Sequence, residues 1–160
     1  MILRTWFKLA ALVVSCGTSG MVHASEIVGL GSNCLDVTGG ATADGTRVQM
    51  WECVPGEENQ QWTLDKGRIV WSGTNKCLDV RGGERANGTK VQIWKCERDE
   101  PNQQWTIDGN RIVWTGTKKC LDVSAGGTSN GTDVQIWDCQ AGNKNQARTV
   151  KASRAKSKSK

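Results

Sequence analysis

"CLDV" occurs at residues 34–37, 77–80 and 120–123, and each copy is followed by a "VQxW" segment: "VQMWEC" at 48–53, "VQIWKC" at 91–96 and "VQIWDC" at 134–139. Successive copies lie 43 residues apart, and from the first Cys of each unit onward the three stretches align without a gap. A period of about 40 residues marks a repeat architecture, whose units share one core because none can bury its apolar face alone. Helical repeats of this length do not fit, since the segments alternate at strand spacing and are broken by glycine. Four-stranded propeller blades have the right length, but three blades are fewer than the usual four to eight or so.

Working outward from "CLDV", the second unit reads as four short strands: "RIVW" (68–71), "CLDV" (77–80), "KVQIW" (90–94) and "QWTI" (104–107). Between the second and third strands sit "ADGT" (43–46), "ANGT" (86–89) and "SNGT" (129–132) in the three units. Asp-Gly and Asn-Gly are strong hairpin-turn signals because both central residues must accept positive φ. Three units of four strands predict an all-β chain folded as a β-trefoil, with repeats at about 25–65, 66–108 and 109–150. Six strands would form a barrel and six would close one end.

Alternation assigns the faces. In "CLDV" the Cys and Asp share one face and Leu and Val the other, so Leu35, Val37 and their equivalents belong to the core. In "VQMW", Val48 and Met50 point inward while Gln49 and Trp51 share the outer face. Six cysteines form three pairs spaced 19 apart: Cys34 and Cys53, Cys77 and Cys96, Cys120 and Cys139. Of the many connectivities that six cysteines allow, the repeat favours the one in which each unit closes its own loop. A metal site is disfavoured, because no Cys-x-x-Cys is present and the one His lies in the leader. No cofactor is expected.

The leader is residues 1–24. Arg4 and Lys8 precede the apolar run "LAALVV" (9–14), and "VHA" (22–24) fits a cleavage site before Ser25. The apolar run is far short of the roughly 20 residues of a membrane helix, so no membrane span is expected. "VVSC", ending at Cys16, is an alternative lipoprotein cleavage box that would leave a lipid-anchored protein. The formal net charge of +5 is misleading. Arg4, Lys8 and five basic residues in the last ten account for it. Between residues 25 and 150, 14 basic side chains face 16 acidic ones. A nucleic-acid binder needs a basic face on its folded domain, so that class is set aside. Residues 151–160 lack apolar side chains for a core and are expected to be disordered.

The Asp, Gln and Trp of one unit are expected to surround one shallow site, together with the Asn and Gln of "NQQW", "NQQW" and "NQAR". A carboxylate accepts two hydroxyl hydrogen bonds, a primary amide donates and accepts among the same hydroxyls, and an aromatic face packs on the C–H patch of a pyranose. The chemistry is that of a sugar site and needs no proton transfer. The plain alternative is structural: Trp62 and Trp105 in "NQQW" read as core, Trp71 and Trp114 are ambiguous, and duplication copies structural residues as readily as functional ones.

Taken together, "CLDV", "VQIW", the Cys spacing and "NQQW" resemble the ricin B-chain type lectin domain, a β-trefoil with Gln-x-Trp repeats. The resemblance spans about 25–150. It implies binding of galactose or N-acetylgalactosamine, and some xylan-binding modules of glycoside hydrolases share the fold. Carried over residue by residue, it assigns sugar binding to Asp36, Gln49, Trp51, Asn59 and Gln60 in unit one. In unit two the equivalents are Asp79, Gln92, Trp94, Asn102 and Gln103, and in unit three Asp122, Gln135, Trp137, Asn145 and Gln146. Unit three departs twice. Arg148 stands where the family has a core Trp, and "SAGG" shifts the glycine pair.

The resulting expectation is a secreted, non-catalytic lectin with weak single sites compensated by multivalency. The rivals are a polysaccharide-binding module related to glycoside hydrolases and a trefoil protease inhibitor. Against an enzyme, the acids repeat by symmetry instead of pairing as acid and nucleophile. "NGT" at Asn87 and Asn130 matches the N-glycosylation acceptor, although Asp44 fills the same place in unit one and points to a turn role.

Overall fold

The computed structural model describes residues 24–152. Residues 1–23 of the expected leader, including the alternative anchor at Cys16, and residues 153–160 lie outside the described residues. Unit one contains β1 (Ser25–Val28), β2 (Asn33–Val37), β3 (Val48–Glu52) and β4 (Trp62–Asp65). Unit two contains β5 (Arg68–Trp71), β6 (Lys76–Val80), β7 (Val91–Lys95) and β8 (Trp105–Asp108). Unit three contains β9 (Arg111–Trp114), β10 (Lys119–Val123), β11 (Thr132–Asp138) and β12 (Thr149–Ala152). The chain is a β-trefoil of three such units. Among the described residues no helix is long and apolar enough to cross a membrane.

The first and fourth strands of the units form the barrel. β4 pairs with β5, β8 with β9, and β12 with β1. Single contacts close the remaining steps: Ser25 opposite Trp62, Trp105 N–H to Gly67 O at 2.6 Å, and Arg148 N–H to Asn110 O at 2.7 Å. The hairpins β2–β3, β6–β7 and β10–β11 cap the other end. They meet through β3–β11 pairing and the bridges Arg47↔Gln92 and Lys90↔Gln135. There Asp133 sits between Arg47 Nη1 (2.6 Å) and Lys90 Nζ (3.3 Å). Burial pushes its carboxyl upward, but the hydrogen bonds from Arg47 and Lys90 prevail and hold it below the usual range.

The period-2 alternation packs as expected. Leu35, Val37, Val48 and Met50, with Leu78, Val80, Val91 and Ile93 and with Leu121, Val123, Val134 and Ile136, are buried in one core. Trp62 and Trp105 join it and donate their indole N–H groups to Leu35 O (2.9 Å) and Leu78 O (3.0 Å). Trp71 and Trp114 are buried too, donating to Glu58 O and Pro101 O. A buried Trp needs such a partner, and each has one. The disulfides are Cys34–Cys53, Cys77–Cys96 and Cys120–Cys139, all with a Cα–Cα distance of 5.0 Å. Each closed loop is worth about 3 kcal/mol in the chain-entropy account.

One expectation needs correction. Lys151 and Ala152, assigned to a disordered tail, complete β12 and pair with Glu26 and Ser25. β1 is a barrel strand that needs a partner on each side, and backbone pairing does not require apolar side chains. Arg148, at the position of the core tryptophan, buries its charge. Its guanidinium is buried, at 5% exposure, and donates through Nη1 to Asn145 O (2.8 Å) and Ala147 O (2.9 Å).

Candidate functional site: three carboxylate–indole pockets

Each site begins with hairpin register. Antiparallel pairing sets Asp36 opposite Gln49, Asp79 opposite Gln92 and Asp122 opposite Gln135. The cross-strand Gln then donates to one carboxylate oxygen: Gln49 Nε2 to Asp36 Oδ1 at 2.9 Å, Gln92 to Asp79 at 3.0 Å, and Gln135 to Asp122 at 3.2 Å. A second Gln, from the short turn before the fourth strand, holds the other oxygen. Gln60 Nε2 reaches Asp36 Oδ2 at 3.2 Å, Gln103 reaches Asp79 at 3.2 Å, and Gln146 reaches Asp122 at 3.1 Å.

These second glutamines differ from the expectation of direct sugar contact. All three are fully buried. Gln60 also donates to Glu52 O (2.9 Å) and accepts from Val54 N–H (2.9 Å), which uses both amide hydrogens and the carbonyl. Gln103 and Gln146 repeat the pattern. They position the carboxylate and have no hydrogen left for a ligand. Each carboxylate oxygen has accepted one protein hydrogen bond and keeps acceptor capacity.

The indoles behave differently from the core tryptophans. Trp51, Trp94 and Trp137 are 37%, 40% and 37% exposed on the face shared with the Asp and Gln. Asn59, Asn102 and Asn145 are half-buried beside them. A glycine explains how the Asn fits: a Cβ on Gly40 or Gly83 would lie 2.6 Å from the Oδ1 of Asn59 or Asn102, and one on Gly126 would lie 3.0 Å from that of Asn145. The shifted glycine pair of unit three keeps this position and instead puts Ala125 at φ 52, where Gly39 and Gly82 stand in the other units.

The sites are not built from one unit each. Gly45, in the turn of unit one, lies against Gln92 and Trp94 of unit two. Gly88 lies against Gln135 and Trp137, and Gly131 closes the circle against Gln49 and Trp51. The residue before each glycine fastens the turn: Asp44 Oδ1 accepts from Lys95 N–H, Asn87 Oδ1 from Asp138 N–H, and Asn130 Oδ1 from Glu52 N–H, all at 2.7–2.8 Å. The role calls for a side-chain carbonyl or carboxylate oxygen, so Asp and Asn interchange there. Alignment of the repeats against one another carries no trace of this exchange between neighbours.

The walls also differ in charge. A cavity of about 210 Å³ in unit two is lined by Asp79, Trp94, Asn102, Glu97 and Glu100. One of about 540 Å³ in unit one is lined by Asp36, Trp51, Asn59, Arg47, Val54 and Glu57. Unit three has Gln140 and Asn143 where unit two has Glu97 and Glu100. Burial pushes the carboxyls of Asp36 and Asp79 above the usual range. Their Gln hydrogen bonds oppose this, and the charges of Glu57 and Glu100 respectively add to it. These wall residues were legible between the second Cys and the "NQ" of each unit but lie outside the repeated motifs.

A threefold trefoil with a pinned Asp beside an exposed Trp in every unit has the architecture of a trefoil lectin. Residues 23–147 match the family model of the ricin-type β-trefoil lectin domain, and the chain belongs to that family. Similar solved structures include the designed threefold-symmetric protein ThreeFoil, at 27% identity and TM-score 0.71, covering 80% of this chain and 97% of that one. The C-half of an earthworm R-type lectin in complex with GalNAc aligns at 21% identity and TM-score 0.70 over 81% and 98% of the two chains. The β-trefoil lectin of the Vibrio vulnificus haemolysin/cytolysin, with N-acetyl-D-lactosamine bound, aligns at 24% and 0.63 over 84% and 97%.

Proposed function

We propose that the protein is a secreted, non-catalytic lectin whose three shallow sites take galactose- or N-acetylgalactosamine-type glycans. The observation that carries the reading is the threefold recurrence of a carboxylate held by two amides, with acceptor capacity left over, beside an exposed indole and a half-buried Asn. The carboxylate accepts two adjacent ring hydroxyls, the Asn amide donates to or accepts from one of them, and the indole covers the C–H face. Gln49, Gln92 and Gln135 orient the carboxylate from the same face. Three sites give avidity on a surface that displays many sugars. Three disulfides suit an oxidising, extracellular setting. The galactose-type ligands named for the earthworm and Vibrio lectins make galactose the first sugar to try.

Titration calorimetry with galactose, N-acetylgalactosamine and xylo-oligosaccharides tests the reading. A hydrogen bond to a charged group is worth roughly 1.5–3 kcal/mol, so each Asp→Asn change at 36, 79 and 122 weakens its site about ten- to a hundredfold. A folded triple variant that binds as wild type sinks the assignment, and stronger binding of xylo-oligosaccharides than of galactose moves it to a polysaccharide-binding module. pH supplies a second readout. Asp36 and Asp79 have folded-state values above the ordinary one, so they protonate, and their sites weaken, at a pH above the ordinary carboxylate range. Protonation of an acid whose folded-state value is raised stabilises the fold, so unfolding driven by these two groups does not account for that loss.

A further inference from the structure

The largest cavity among those described lies away from the three indole sites. It is a groove of about 750 Å³ between the β4–β5 turn and the loop that follows Cys96, lined by Lys66, Arg68, Arg98, Asp99, Gln104 and Thr115. The loop has two sides. Glu97, Glu100 and Asn102 face the unit-two sugar pocket, while Arg98, Asp99 and Pro101 face this groove.

Symmetry shows that the charged lining of the groove is peculiar to one seam. Lys66 corresponds to Gly109 in the next turn, Arg98 to Pro55 and Ala141, and Asp99 to Gly56 and Gly142. The glycines at these places have φ of 59, 71 and 74, and Lys66 and Asp99 adopt the same left-handed region at φ 48 and 58. Among the described residues only four non-glycine residues do so, and two of them line this one groove. Lys is poorly suited to a turn position that favours Gly, Asn or Asp. Residues held in such regions cluster at functional sites. The charges are also available. Arg68 is paired with Asp65 at 2.6 Å. Among the described residues, Lys66, Arg98 and Asp99 form no ion pair, and the Gln104 side chain, half-buried at the groove wall, makes no hydrogen bond.

We propose that this groove binds the carboxylate or sulfate of an acidic saccharide, as a site separate from the three indole pockets. Lys66 and Arg98 hold the oxyanion. Gln104 and Thr115 bond neighbouring hydroxyls, and Asp99 accepts a further hydroxyl. The single carboxylate works against densely charged ligands such as nucleic acid, which would face it with several charges at once. The proposal stands apart from the indole-site reading and shares with it only the class of ligand.

The test uses the mature protein, with binding of a glucuronate-bearing and a 6-sulfated galactose oligosaccharide compared with that of their neutral counterpart. Lys66→Gly and Arg98→Ala install residues that the sibling units already carry, so the double variant folds. The acidic ligands bind more tightly than the neutral one, and the double variant loses roughly tenfold or more of that affinity while galactose binding is unchanged. The Asp36, Asp79 and Asp122→Asn triple variant keeps the acidic binding. Binding of one acidic ligand alone supports the proposal and identifies its oxyanion. Equal affinity for acidic and neutral ligands, retention by the double variant, loss in the triple variant, or tighter binding of a short RNA overturns it. A wild type that binds the acidic but not the neutral sugars through Lys66 and Arg98 supports the groove and removes the indole-site reading.

Discussion

Two of the three seams between units are closed by tryptophan pairs and the third by an arginine over a glycine. Trp62 lies opposite Trp71, and Trp105 opposite Trp114. Where the chain ends meet, the β1–β12 register brings Arg148 across from Gly29, and a Cβ on Gly29 would lie 3.1 Å from Arg148 Nη1. The two departures are one event in space: the missing indole at position 29 is the room in which the guanidinium lies. The seam keeps its backbone geometry and changes its chemistry. It exchanges two indoles, each with a hydrogen-bonded N–H, for one buried cation whose Nε and Nη2 make no hydrogen bond to protein.

The largest expected effect sharpens this contrast. Trp105→Ala removes a buried indole and its bond to Leu78 O, and costs about 3–5 kcal/mol. Arg148→Ala removes a side chain whose burial is itself unfavourable, and costs well under half as much. Urea denaturation of the two variants measures both. Equal losses would mean that the arginine holds its seam as firmly as a tryptophan does, and the comparison would fail.

The next effect is the charge itself. Burial lowers the Arg148 value from the ordinary guanidinium range to about 10, although the Asp122 carboxylate opposes the shift. The folded-state value lies below the unfolded one, so above about pH 10 the folded protein carries fewer protons than the unfolded chain. Stability from this group therefore rises with pH above about 10, until the unfolded chain also loses the proton, and at neutral pH the full penalty is present, on the order of 3 kcal/mol. Arg148→Leu escapes it. The variant is more stable than wild type at pH 8, and the gap narrows as the pH rises from about 10 to 12. A gap that stays constant across that range would place the proton elsewhere.

Legibility followed the repeat. Strand alternation, the core positions and the disulfides depend on residues within one unit, and the three copies reinforce one another. Relations between units were hidden for the same reason. Aligning Gly45 with Gly88 and Gly131 shows that they are equivalent, not that each packs against its neighbour's Trp. Arg148 was visible as a departure and Gly29 was not connected to it, because 119 residues separate them in the sequence. Gln60, Gln103 and Gln146 read as ligand groups beside Asn, and only their completed hydrogen bonds reveal a bracing role. Lys151 and Ala152 read as tail because composition ignores a strand that needs a partner.

A smaller effect concerns order along the seams. If the Arg148 seam is the soft one, amides of β12 exchange faster than those of β4 and β8, which begin at the tryptophan seams. Hydrogen exchange resolved by strand decides this, and equal protection of the three fourth strands removes the idea.

The smallest effect lies at Ala125, which adopts φ 52 where the other two units have glycine at φ 62 and 64. The left-handed conformation costs a residue with a Cβ roughly 1–2 kcal/mol, and Ala125→Gly relieves it. The same change loosens the unfolded chain, which takes back about 0.4–1 kcal/mol. The net is a stabilisation of about 0.5–1 kcal/mol, small but opposite in sign to the usual effect of putting glycine into a folded protein. Gly82→Ala in unit two is the mirror experiment. It imposes the same strain at an equivalent turn where a Cβ meets nothing closer than 3.7 Å, so it destabilises by a similar amount. Both shifts read directly as changes in the urea midpoint at constant slope. If Ala125→Gly destabilises while Gly82→Ala does so as expected, the methyl group of Ala125 contributes packing that unit two lacks, and the third unit differs from its siblings at the pocket wall as well as at the seam.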